Sequence, residues 1–66
     1  MEVRCHLDRI LEEKDMTLAD LAKLVDVTAV NLSVLKNNRA KAVRFSTLLG
    51  LCEALDCQPG DLFSVS

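Results

Sequence analysis

The stretch "VDVTAVNLSVLKNN", residues 25–38, decides how the chain is read. Leu32 and Leu35 stand three apart, the spacing of the inner face of a helix. Thr28 precedes them and is a good N-cap, because its hydroxyl accepts from a backbone N–H of the first turn. At the far end, Asn37 or Asn38 can take the left-handed backbone that closes a helix in place of Gly. The other side of this helix is the puzzle. Ala29, Val30 and Val34 occupy positions where a solvated helix is polar, leaving Asn31, Ser33, Lys36 and Asn37 as the polar groups.

Upstream, Thr17 opens a second helix, with Asp20 three residues on as a weak capping-box partner. Leu18, Leu21, Ala22 and Val25 form its apolar face, and the helix ends near Val25. Asp26 is expected to take a left-handed corner, after which Val27 drops into the core. Earlier still, Leu7, Ile10 and Leu11 give the segment Arg4 to Lys14 an amphipathic stripe. Downstream, a loop from Arg39 to Arg44 leads into "FSTLLGLCEAL", whose stripe is read as Phe45, Leu48, Leu49, Cys52 and Leu55. Leu24 and Leu51 fall off these stripes, as ordinary surface or as a dimer face. Pro59 starts a last short helical turn, and Leu62 and Phe63 close the core. The expectation is an all-α domain of four to five short helices spanning residues 1–66.

Size and charge narrow the function. The chain has 66 residues, half of them hydrophobic but only two aromatic, so its core is aliphatic and suits packed helices. A domain this short buries only about 60% of its unfolded surface. It has no room for a deep catalytic cleft, and an enzyme is not expected. No apolar run approaches a membrane span and the N-terminus is charged, so a cytoplasmic location is expected. The net charge of −2 is strongly segmented. Residues 1–26 hold seven acids against four bases, and residues 53–66 hold three acids and no base. Residues 27–52 hold no acid and four bases, Lys36, Arg39, Lys41 and Arg44. A basic block inside an acidic chain is the footprint of a phosphate-contacting segment.

The cysteines carry no chemistry in this reading. Cys5, Cys52 and Cys57 with His6 are enough donors for zinc, but Cys5 and His6 are adjacent and do not converge. Cys52 and Cys57 have no knuckle-forming turn between them, and Cys52 lies on an apolar stripe, where free Cys acts as a small hydrophobe. No metal, disulfide or other cofactor is expected.

Two short helices joined by a tight turn, with the small Ala22 where the backbones approach, describe a helix-turn-helix. From Thr17 to Phe63 the chain resembles the Cro and phage-repressor (XRE-type) family. The resemblance rests on Thr17, the Leu21-Ala22 pair, Val27-Thr28, Leu32 and Leu35, the exit Asn37 to Arg39, and the tail "LCEALDCQPGDLF". It implies a lambda-repressor-like fold that binds double-stranded DNA with the third helix, about 28–37, in the major groove. It also implies a homodimer, which would have to use the domain's own surface around the fourth and fifth helices. The implied interface comprises Thr17, Thr28, Ala29, Val30, Asn31, Ser33, Val34, Lys36, Asn37, Arg39, Lys41 and Arg44.

Three departures from the family pattern matter. Asp26 stands where Gly is common, Leu18 where a phosphate-contacting Gln is common, and Ala29, Val30 and Val34 where base-reading polar side chains are common. Apolar groups in the major groove read only the thymine methyl. Two readings follow. In one, Thr28, Asn37, Arg39, Lys41 and Arg44 grip phosphates, the apolar residues touch thymine methyls, and Asn31 or Ser33 adds a hydrogen bond. In the other, the face has become a protein-binding surface, as in an antirepressor, an antitoxin-like partner or an adaptor.

Overall fold

The computed structural model describes all 66 residues. In chain order it comprises β1 (Val3–Cys5), α1 (Leu7–Glu13), α2 (Leu18–Leu24), α3 (Ala29–Lys36), α4 (Phe45–Leu55), α5 (Pro59–Leu62) and β2 (Phe63–Val65). It is thus mostly helical, with one addition to the all-α expectation. β1 and β2 pair antiparallel, Val3 opposite Val65, Arg4 opposite Ser64 and Cys5 opposite Phe63. Hydrogen bonds from Glu2 N to Ser66 O at 2.6 Å and from His6 N to Leu62 O at 2.7 Å extend the ladder at both ends. Arg4 and Cys5 therefore belong to a strand, and the first helix begins at Leu7. The pairing joins the two ends of the chain.

Leucine dominates the core. Leu7, Leu21, Leu32, Leu51, Leu55 and Leu62 are essentially inaccessible, with Ile10, Leu11, Val25 and Leu35 beside them. Val27, Cys52 and Phe63 pack against this cluster half-buried. The stripe on α4 differs from the sequence expectation. Phe45 is 83% exposed and Leu49 63% exposed, while Leu51 is buried. Most α4 positions are apolar, so spacing alone does not fix which face turns inward. The inner face is Leu48, Leu51 and Leu55, rotated away from Phe45.

Caps follow local chemistry. Thr17 Oγ1 accepts from Asp20 N at 3.1 Å, and Asp20 Oδ2 accepts from Thr17 N at 3.1 Å, completing a capping box. Thr28 Oγ1 accepts from Asn31 N at 3.2 Å. Pro59 occupies the first turn of α5, where Asp61 Oδ2 accepts from Gln58 N at 2.9 Å.

At their C-termini, α1, α3 and α4 end alike, each through a left-handed residue that is not Gly: Asp15, Asn38 and Asp56. The backbone N–H just beyond each one reaches back five residues, Met16 to Leu11, Arg39 to Val34 and Cys57 to Cys52, at 2.9, 3.0 and 3.1 Å. These are Schellman closures, which satisfy the orphan carbonyls of the last turn. Asp26, expected in that conformation, is not among them. Instead α2 stops at Val25, whose extended backbone (φ −122, ψ 156) turns the chain while its side chain stays buried.

The Thr17 box makes a pH prediction. The backbone and side-chain hydrogen bonds from Thr17 hold the Asp20 carboxyl below its ordinary value. Its ionised form is favoured in the folded state, so the contribution is present above the usual carboxylate value of about 3.9 and is lost as pH falls through the lower folded value. Melting followed from pH 7 to pH 2 should show Asp20→Asn losing less on acidification than the parent. Equal acid sensitivity of the two would contradict this assignment.

Candidate nucleic-acid interface

The helix-turn-helix is α2, the 25–28 turn and α3. Leu32 and Leu35 anchor α3 to the core, which turns Val30 outward at 73% exposure, between the exposed Ala29 and Asn31. Ser33 and Val34 are half-buried. Val34 was expected to stand as free as Val30. It leans instead into a groove of about 320 Å³ between α3 and the 39–44 loop, alongside Asn31, Val43 and Thr47. The exposed apolar face is accordingly narrower than the sequence implies, with Val30 at its centre.

Polar groups frame that face. Asn37 Nδ2 donates to Ser33 Oγ at 3.2 Å, tying the exposed Asn37 to the half-buried Ser33 one turn before it and leaving the Asn37 Oδ1 and the Ser33 hydroxyl hydrogen free to meet a ligand. Thr28 holds the start of the helix through its cap.

The two flanks of α3 differ in charge. Arg39, Lys41 and Arg44 all line the groove on the loop side, and none of them takes part in an ion pair. Arg44 and Thr47 also line a second depression, against Val25, Asp26 and Gly50. On the other flank, Lys36 Nζ lies 3.9 Å from Asp8 Oδ1 and is half-buried. Lys36 and Thr17 share a depression there with Asp8 and Glu12. An incoming polyanion meets three uncompensated cations on one flank and partly neutralised charge on the other. The interface residues named from sequence thus split into a face (Thr28, Ala29, Val30, Asn31, Ser33, Asn37), a loop-side flank (Val34, Arg39, Lys41, Arg44) and a mixed flank (Thr17, Lys36).

Two contributors escaped the sequence reading. Thr47 sits between both loop-side depressions. Asn38 accepts the Cys5 N–H on its Oδ1 at 2.6 Å, pinning the start of the basic loop to β1. The "NN" pair signalled a helix end, but nothing local signalled a partner 33 residues away.

The chain is similar to known proteins over most of its length. The model of the Cro/C1-type HTH DNA-binding domain covers residues 6–66. The chain belongs to the Cro/C1-type HTH family. It is 45% identical over 62 residues to the uncharacterized HTH-type transcriptional regulator YozG of Bacillus subtilis (strain 168), covering 94% of this chain and 74% of that protein. It also superposes on the crystal structure of the transcriptional regulator VanUg with a TM-score of 0.78 at 30% identity, covering 96% of this chain and 83% of that one. Cro/C1-type membership places the chain among DNA-binding transcriptional regulators, the class the sequence resemblance implied.

The cysteines of this Cro/C1-type chain stand apart from the α3 face. Burial pushes the Cys5 thiol up, and burial together with the neighbouring Cys52 thiol pushes Cys57 up, so both are neutral near pH 7 and poor nucleophiles. Cys52 and Cys57 are brought together by the α4 closure through Asp56, a turn not anticipated between them. No helix is long and apolar enough to cross a membrane.

Proposed function

We propose that the chain is a small cytoplasmic transcriptional regulator of one domain, acting as a homodimer on double-stranded DNA without catalysis and without a cofactor. α3 enters the major groove with Val30 leading. The single observation that carries this reading is the groove beside α3 lined by Arg39, Lys41 and Arg44, three cations with no acid in ion-pair reach. They are placed to hold phosphates while the helix face meets base edges. Thr28 and Asn37 add neutral phosphate contacts at the two ends of α3, Val30 and Ala29 touch thymine methyls, and Ser33 or Asn31 supplies a hydrogen bond. Reading few base edges by hydrogen bond, the domain draws part of its specificity from DNA shape.

The competing reading, a protein-binding face, needed Ala29, Val30 and Val34 as one exposed patch. With Val34 tucked against the basic loop, that patch contracts to one large exposed side chain. Titration of the parent protein against fragments of its genome tests the proposal. The expected result is a small set of fragments bound in the range of about 10⁻⁸ M or tighter at physiological salt. Uniform binding of all fragments at about 10⁻⁴ to 10⁻⁶ M would contradict a sequence-reading regulator.

A further inference from the structure

The closure of α4 sets two thiols side by side. Asp56 takes the left-handed backbone at φ 49, and the Cys57 N–H returns to the Cys52 carbonyl at 3.1 Å. In a Schellman closure the residues at these two positions commonly touch through their side chains, usually as an apolar pair. Here both are free cysteines, and the Cys52 thiol stands within hydrogen-bonding reach of the Cys57 thiol. No turn between them was legible in the sequence, and Asp56 supplies one. Both thiols pack half-buried against the core and are still reached by solvent. They line none of the depressions beside α3, so DNA reading makes no use of them.

We infer that Cys52 and Cys57 form a two-thiolate site for a soft monovalent metal ion of the Cu(I) class, held between the two sulfurs. Donor type and donor number select the ion. Thiolates favour soft ions, Cu(I) and zinc among them. No third His, Cys, Asp or Glu joins the pair in a metal-holding group, and a structural zinc ion takes four ligands, so the site suits an ion content with two sulfurs. Metal–sulfur bonds of roughly 2.3 Å place the sulfurs about 4.6 Å apart across a linear site, the scale of two thiols in contact.

Binding changes no oxidation state. Both thiols give up their protons as the ion enters, so one positive charge arrives, two protons leave, and the neutral pair becomes a singly negative complex. Two neighbours act on Cys57 with opposite sign: Lys14 offsets that charge, and Asp61 opposes it. The bound ion clips the end of α4 to the segment that leads into α5. This goes beyond the function proposed above, which uses no ion, and is independent of how α3 reads DNA.

The test titrates the reduced full chain with Cu(I) in the absence of oxygen, against a Cu(I)-chelating competitor such as bicinchoninate, while released protons and the melting temperature are followed. The parent should retain one ion per chain, release two protons for each, and melt higher by about 5 °C or more at saturating ion. Cys5→Ser should behave as the parent does, whereas Cys52→Ser and Cys57→Ser, checked for folding by circular dichroism, should lose the ion to the competitor. A parent that retains no ion, an ion shared between two chains, or an ion held undiminished by Cys57→Ser overturns the site. Zn(II) held as tightly as Cu(I) also overturns it, because zinc needs more donors than this pair provides. Stoichiometry and proton count are read on the parent, so the result does not depend on either cysteine variant folding.

Discussion

Replacing Val30 by Glu should abolish specific DNA binding while leaving the domain folded. Val30 is 73% exposed and lies opposite Leu32 and Leu35, so a charged side chain there displaces no core contact. Its cost in stability should stay within about 0.5 kcal/mol, the usual range for surface changes. In the major groove the same carboxylate faces phosphates and base acceptors with nothing to neutralise it. Affinity should fall to the non-specific level, a loss of about 10³-fold or more. Fluorescence anisotropy on a selected duplex and a thermal melt of the free protein measure the two effects. Retained affinity in a folded Val30→Glu would place the recognition surface elsewhere.

The second large effect belongs to the loop. Arg39, Lys41 and Arg44 are free of intramolecular partners, so removing them costs the fold no ion pair. Each that touches a phosphate releases about one counterion, so the triple alanine variant should flatten the plot of log affinity against log salt by about three. Affinity should drop on every sequence alike, because phosphates carry no base identity. Lys36→Ala should have a smaller effect, since Asp8 already compensates that charge. An unchanged slope in the triple variant would make the basic block ordinary surface.

What could be read from sequence was local. The caps at Thr17 and Thr28, the inward leucines of α2 and α3, and the left-handed Asn at the end of α3 all follow from neighbours within one helical turn. What could not be read depended on distant partners. The strands Val3–Cys5 and Phe63–Val65 are three residues each and become strands only by finding one another from opposite ends of the chain. The inward face of α4 was misread because apolar residues surround it, and only packing chooses Leu51 over Phe45. In the candidate interface, residue types and the acid-free window single out the cations that line the groove beside α3. That Val34 turns into their groove, and that Lys36 turns to Asp8, depends on tertiary distances no spacing encodes.

A paired titration tests the central claim most directly. The parent protein is titrated against its selected duplex carrying thymine, and against the same duplex with the α3-facing thymines replaced by uracil. Only the methyl group changes. The account predicts specific binding to the thymine site and a loss of about fourfold per deleted methyl, the worth of burying one such group against Val30 or Ala29. Equal affinity for both duplexes would contradict methyl reading, and no binding above the non-specific level to either would contradict the regulator itself.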